Sequence, residues 1–273
     1  MQKGLDTFFT LPEVAAWCVK IVSERGWLGD GIKSLEPSSG DGVFLKFIPG
    51  LVCLDINPQH AEAEQQDFLT WTPSERFDLI IGNPPFGKRN SLSTAFLNKA
   101  STMCSRIAFI LPKSYKRPAT IDQIDPMFWP VGVHDLPTDK FRVSDTAMKK
   151  IGCVFMLWER RDVARPLFKT ILDIKQEPHT VRSVEDAEYV LRHSGASSGK
   201  IISKDLWKNG TCYLLVGQCD RVGRTDWSSL VDNGGAGTKS LTLSDIHLAF
   251  KMMDAGQDYK TGAIGYLQSM LAK

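Results

Sequence analysis

Short apolar runs, each of strand length, recur along the first 160 residues and constrain the fold more than any other feature. They are "GIKSLE" (31–36), "LVCLD" (51–55), "FDLIIG" (77–82), "RIAFILP" (106–112), "VGVHDLP" (131–137) and "IGCVFMLWE" (151–159). Runs that are apolar throughout, rather than at alternate positions, belong to strands buried on both faces, which predicts an α/β domain with helices on both sides of the sheet. Between them "LPEVAAWCVKIVSERG" reads as an amphipathic helix, with Pro12 in its first turn and Gly26 at its stop. "SLSTAFLNKASTMC" (91–104) predicts a second helix. The last two runs flank "TDKFRVSDTAMKK", too short for a crossover helix, so they are expected to pair as an antiparallel hairpin at a sheet edge.

Past Glu159 the pattern changes. "LFKTILDIKQ" is a candidate helix, "HSGASSGK" (193–200) and "DNGGAGTK" (232–239) are connections, and "CYLLVG" (212–217) is a strand. Ser244 is the expected cap of a helix over "DIHLAFKMMDAG". The chain thus divides into a catalytic-type domain over 1–162 and a small C-terminal α+β region over 163–273, with substrate recognition a candidate role for the latter. Composition excludes disordered and fibrous classes: of 273 residues, 42% are hydrophobic and 23% charged. No run reaches the roughly 18 apolar residues of a membrane span, and the first residues lack the apolar core of a secretory signal. Scattered cysteines without a CxxC pair read as reduced core residues, and the expected location is cytoplasmic. His134, His179, His193 and His247 with Cys212 and Cys219 lack metal-ligand spacing, so no metal is expected. Trp207 and Trp227 are candidates for base stacking or for the core. From Asn83 to Ile121 there is no acidic residue, while Lys88, Arg89, Lys99, Arg106, Lys113, Lys116 and Arg117 fall inside it. Such a run suits either a polyanion or ordinary solvation.

The chemistry sits at the ends of the strands. "SLEPSSGDGVF" follows the first strand, and Gly40 and Gly42 permit a tight turn and close backbone approach to a ligand. The Lys-Ser/Thr pair of a phosphate-cradling loop is missing. Asp55 ends the second strand, where an acid commonly binds ribose hydroxyls; a nicotinamide site and a simple helix cap fit it equally. Asp67 beside Phe68 offers an acceptor and a ring for an adenine, or a loop acid beside a core aromatic. The stretch "FDLIIGNPPFGKRN" is more specific. Two prolines hold Asn83 and the Pro84 carbonyl in one extended pose and supply no N–H. Asn83, Pro84 and Pro85 therefore present rigid acceptors beside the flat ring of Phe86, which suits a planar amine. Binding both amine hydrogens stabilises the positive charge that develops when such an amine attacks a methyl group, and no strong base is needed.

The order "TFFTLPEVA", "EPSSGDGVF", "LDIN", "QDFLTWTPSERFDLIIGNPPFG", "IAFILPKS" and "DKFRV…IGCVFMLWE" resembles the gamma group of S-adenosylmethionine-dependent N6-adenine DNA methyltransferases. The resemblance covers roughly residues 5 to 160. It implies a class I, Rossmann-like methyltransferase sheet, mostly parallel and seven-stranded, ending in an antiparallel hairpin. It further implies S-adenosyl-L-methionine as cofactor and nucleic acid as partner, DNA in preference to RNA. Thr10, Glu36, Pro37, Gly40 and Gly42 would lie along the methionine end of the cofactor. By the same resemblance Asp55 binds its ribose, Asp67 its adenine amine, and Phe68 packs beside it. Asn83, Pro84, Pro85 and Phe86 hold the target base, and Phe141 stands where the family places a second aromatic. Lys88 and Arg89, directly after the tetrad, are candidates for phosphate contacts. Few residues separate Gly42 from the second strand, so the first crossover is expected to be short. Methylation of RNA and a catalytically silent nucleic-acid-binding subunit are the alternatives.

Overall fold

The computed structural model describes residues 8–172, 177–231 and 240–272. It divides into two compact units, one running through Pro112 and resuming over Ile124–Arg165, the other formed by Lys113–Gln123 with Pro166 onward. The insertion of 113–123 into the second unit was not expected from the sequence.

In the first unit the elements are α1 (Pro12–Glu24), β1 (Ser34–Glu36), β2 (Val52–Asp55), β3 (Ala63–Gln65), β4 (Phe77–Gly82), α2 (Ser91–Ser101), β5 (Cys104–Pro112), β6 (Phe128–Asp135), β7 (Lys140–Ser144), β8 (Ala147–Lys150) and β9 (Cys153–Arg160). The main sheet has the order β3-β2-β1-β4-β5-β9-β6. Its first five strands are parallel, and β9 runs antiparallel between β5 and β6. This is the mostly parallel seven-stranded sheet, ending in an antiparallel hairpin, that was anticipated above. β3 was missed because its residues are polar and half-exposed, as an edge strand allows. The "TDKFRVSDTAMKK" connection also proves structured: it forms the separate β7–β8 hairpin.

Burial explains the sheet's strength. Leu79, Ile80 and Ile81 of β4 and the run Ile107–Leu111 of β5 are all fully buried. Each large apolar side chain among them contributes about 1.5–3 kcal/mol relative to exposure. Alternate residues Leu79, Ile81, Ala108 and Ile110 join a core with Val14, Cys18 and Val22 of α1. Pro12 starts α1 and Gly26, at φ +70°, turns the chain after it, as the sequence implied. The first crossover is short, as expected. Between β1 and β2 the chain makes only a 3-10 turn over Phe44–Lys46, and neither β2–β3 nor β3–β4 is joined by a helix. These links are too short and too rich in turn residues to wind one.

The second unit adds α3 (Pro118–Ile121), α4 (Phe168–Ile171), β10 (His179–Thr180), β11 (Tyr189–Arg192), β12 (Lys200–Ile202), β13 (Cys212–Val216), α5 (Cys219–Arg224), α6 (Ser228–Val231), α7 (Leu243–Asp254) and α8 (Gly262–Leu271). Its strands form an antiparallel sheet, β10-β13-β11-β12, over a core including Leu191, Leu215, Trp227, Ile246 and Phe250. The cap of α7 is Thr242, not Ser244: its hydroxyl accepts from Asp245 N–H while Asp245 accepts from the Thr242 N–H. Trp227 is a core residue that donates to the Val222 carbonyl, and Trp207 is partly buried. "LFKTILDIKQ" yields only the short α4, with 173–176 outside the described residues; so is "DNGGAGTK". Among the described residues no helix is long and apolar enough to cross a membrane. The cysteines are free, and all but Cys219 are buried.

Candidate active site

In an open α/β sheet, ligands settle beyond the carboxyl ends of the strands where the strand order reverses, here between β1 and β4. A cavity of about 520 Å³ occupies that place. Pro37, Ser38 and Gly40 enter it after β1, Asp55, Ile56 and Asn57 at the end of β2, Asp67 and Phe68 after β3, and Asn83, Pro84, Pro85 and Phe86 after β4. Four consecutive strand ends thus meet in one space.

The backbone stitches these segments together. The Asp55 carboxylate accepts from Gly40 N–H and from Asn57 N–H, both at 2.8 Å, clamping the glycine turn onto β2. Ser39 N–H donates to the Leu54 carbonyl at 2.9 Å, and Gln66 N–H to the Asp55 carbonyl at 2.9 Å. Asp67 accepts from Leu69 N–H at 3.0 Å, and Phe68 is buried against Phe96 at 5.1 Å. A carboxylate has roughly four lone-pair sites, so Asp55 and Asp67, which line the cavity, each retain acceptor capacity.

Asn83 has the most informative environment. Its side-chain N–H donates to the Phe8 carbonyl at 3.0 Å. A carbonyl only accepts, so this bond fixes which end of the amide is nitrogen. The other end, Oδ1, is buried without a hydrogen-bond partner. A buried unsatisfied acceptor costs about 1–3 kcal/mol and calls for an explanation such as a ligand. Phe86 holds its position through its carbonyl, which accepts from Leu92 and Ser93 N–H at the start of α2.

Several expected residues stand outside the cavity. Thr10 is buried. Gly42, at φ +72°, lies under the His60 ring, whose atoms stand 3.0 Å from where a Cβ would project. Glu36 is 2% exposed and its Oε2 has no partner. Burial, with the nearby charges of Asp41 and Asp55, holds its carboxyl well above the usual range. Lys88 and Arg89 are exposed on the turn after Phe86 and do not line the cavity. Phe141, at 1% exposure, sits in the core against Phe8 and does not line the cavity. The acid-free run spans both units. Arg106 faces Glu159 at 3.8 Å, and Lys113, Lys116 and Arg117 belong to the second unit.

Sequence reasoning missed the roof. Phe8, Phe9 and Val143 line the cavity from the amino-terminal segment and β7. Phe9 and Arg142 exchange backbone hydrogen bonds of 2.8 and 3.0 Å, so the segment is paired to the hairpin. Arg142 also pairs with Asp41 of the glycine turn and lies over the Phe9 ring at 4.5 Å, and Lys149 Nζ stands 5.0 Å from the Phe8 ring. The doubled aromatic in "TFFT" was the available signal. The lining carries two carboxylates and no Lys, Arg or His among the described residues. Such a lining suits a cationic or hydroxyl-rich nucleoside.

Over 70 residues the chain is 40% identical to Type II methyltransferase M.TthHB8I of Thermus thermophilus, a match covering 21% of this chain and 16% of that protein. Likewise it is 36% identical over 70 residues to Type II methyltransferase M.CvrRI of Paramecium bursaria Chlorella virus XZ-6E, covering 20% and 18%. The similarity is to Type II methyltransferases. The matches span less than a fifth of these relatives' length. No protein-family model matches the chain. Among solved structures, the 23S rRNA methyltransferase ErmE superposes at TM-score 0.41 with 19% identity, covering 59% of this chain and 72% of that one. A type I restriction-modification system methyltransferase subunit from Streptococcus thermophilus gives 0.41 with 13% identity, covering 57% and 45%.

Proposed function

We propose that this chain transfers a methyl group from S-adenosylmethionine to the exocyclic N6 amine of adenine in nucleic acid, DNA in preference to RNA. One observation carries the reading: Asn83, whose amide is oriented by the Phe8 carbonyl and whose Oδ1 is buried without a partner, lines the same cavity as Asp55. The residues present fit the cofactor. Asp55 and Asp67 offer acceptors to ribose hydroxyls and an adenine amine, and a lining with two carboxylates and no basic side chain among the described residues favours a cationic ligand. When bound, S-adenosylmethionine supplies an electrophilic sulfonium methyl.

The chain's own residues do the rest. Asn83 Oδ1 and the Pro84 carbonyl accept the two amine hydrogens, which draws the nitrogen lone pair out of ring conjugation and toward the methyl. As the N–C bond forms the sulfur–methyl bond would break and a neutral thioether leave, so positive charge grows on nitrogen, and the two oxygens stabilise it until one proton leaves to solvent. Each such preorganised partner is worth about 100- to 1000-fold in rate. Phe86 stacks on the base. An adenine inside a duplex must be flipped out at a cost of a few kcal/mol, which stacking and phosphate contacts from Lys88 and Arg89 offset.

Mass-spectrometric nucleoside analysis of DNA and RNA from cells overproducing the protein tests this, with labelled cofactor on matched purified substrates. N6-methyladenine in DNA is expected. Its appearance in RNA alone reverses the substrate preference, and methylated cytosine or methylated protein overturns the adenine assignment. Turnover that requires an added partner makes the chain a subunit of a larger enzyme.

A further inference from the structure

Resting on the methyl-transfer reading above, we infer that Phe8 is the second wall of the target-base slot and the residue that orients Asn83. The Phe8 and Phe86 rings are nearly parallel, with an interplanar angle of 25° and centroids 6.0 Å apart. A planar base in van der Waals contact with a ring on each face needs about 7 Å between them, at 3.5 Å per contact. The centroid separation is an upper limit on the face-to-face spacing, so the pair stands at least about 1 Å short of a filled slot, and an outward shift of the amino-terminal segment would open it. Both rings line the cavity.

Phe8 is well placed for this work. Its carbonyl accepts the Asn83 side-chain N–H at 3.0 Å, so one residue provides a stacking face and sets the acceptor beside it. The neighbouring Phe9 is paired to Arg142 in β7, which restrains the backbone. Phe141 lies edge-on beneath the Phe8 ring, with centroids 6.5 Å apart at 65°, and is itself buried. The ring expected at Phe141 to meet the base is therefore a support, and Phe8 presents the surface. Sandwiching a base between two flat rings needs no sequence-specific contact, so Phe8 serves any sequence context in which the adenine is extruded.

The test uses the full chain and an adenine-containing oligonucleotide that the wild type methylates. Phe8→Ala, Phe8→Leu, Phe8→Tyr and, as reference, Phe86→Ala are compared in single-turnover rate, in KM for nucleic acid, and in S-adenosylmethionine affinity by calorimetry. Stacking on one ring accounts for about tenfold to a hundredfold in affinity. Phe8→Ala and Phe8→Leu are expected to raise KM for nucleic acid by about that factor, with cofactor affinity within about twofold of wild type; Phe8→Tyr, which keeps the flat face, is expected to restore it. Three results overturn the inference: Phe8→Ala matching or exceeding the wild type, which makes the ring a plug that the base displaces; Phe8→Leu matching Phe8→Tyr, which makes bulk sufficient; and an equal loss of cofactor affinity, which makes Phe8 part of the cofactor's enclosure. If the wild type methylates no adenine at all, the methyl-transfer reading itself falls, an outcome distinct from these three.

Discussion

Asn83→Ala separates function from folding because its two consequences differ in size and tend to opposite signs. The substitution removes one hydrogen bond, Asn83 N–H to the Phe8 carbonyl at 3.0 Å. A bond of that kind contributes about 0.5–1.5 kcal/mol net. It also removes the buried Oδ1 that has no partner, relieving a penalty of about 1–3 kcal/mol. The side chain stands at a cavity wall, so truncation enlarges an existing space and creates no new closed void. The net change in unfolding free energy is thus expected between a loss of about 0.5 kcal/mol and a gain of about 2.5 kcal/mol. At this chain length that moves the midpoint of thermal unfolding by only a few degrees. Methyl transfer is expected to fall by about 100- to 1000-fold, the value of one preorganised partner at a developing charge. Thermal and urea unfolding measure the first quantity, and single-turnover transfer of labelled methyl at saturating substrate the second. A variant that loses more than about 3 kcal/mol of stability has an Asn83 whose role is structural, and one within about tenfold of wild-type rate refutes the clamp.

Asp55→Ala is expected to weaken S-adenosylmethionine binding at least tenfold by calorimetry, since it deletes the acceptor of Gly40 and Asn57 N–H along with a hydrogen-bonded charge worth about 1.5–3 kcal/mol; Phe86→Ala should leave that binding intact, and equal losses in both contradict the division of roles. Burial, then Asp41 and Asp55, raise the Glu36 carboxyl well above the ordinary 4.5. The folded state thus keeps a proton that the unfolded chain releases above 4.5, so stability falls as pH rises from there to the folded value and is level beyond it. Glu36→Gln should flatten that fall and be the more stable protein at pH about 8 in thermal unfolding without ligand; an unchanged pH profile refutes it. Replacing both Lys88 and Arg89 by Ala should weaken nucleic-acid binding and reduce the slope of log affinity against log salt by about 2, measured by fluorescence anisotropy, and an unchanged slope excludes them as phosphate contacts.

Much of the first unit was legible because its signals are local. Apolar runs buried on both faces located β1, β2, β4, β5, β6 and β9, and the helix-start proline with its trailing glycine bounded α1. β3 left no apolar trace because an edge strand of Ala, Glu and Gln is held by backbone pairing to β2. The β7–β8 hairpin was read as plain connection for a similar reason: Lys140, Lys149 and Lys150 are solvated, and only Phe141 among its large apolar residues is buried. Thr242 was passed over as a cap because Ser244 is also a good capping residue, and only the reciprocal bonds with Asp245 decide between them.

By itself the sequence determined the strand-end chemistry: an acid after an apolar run, glycines where the backbone must turn, and two prolines that leave Asn83 few poses, all imposed by covalent geometry and short-range sterics. Only the tertiary structure decided which way the Asn83 amide points, because that depends on the Phe8 carbonyl, 75 positions away along the chain. It also decided which aromatic reaches the cavity, since the rank of Phe8 and Phe141 is a matter of which ring lies in front once the amino-terminal segment pairs with β7. Contacts between distant segments carry no mark in either segment alone, and there the reading of a chain passes from its order of residues to its packing.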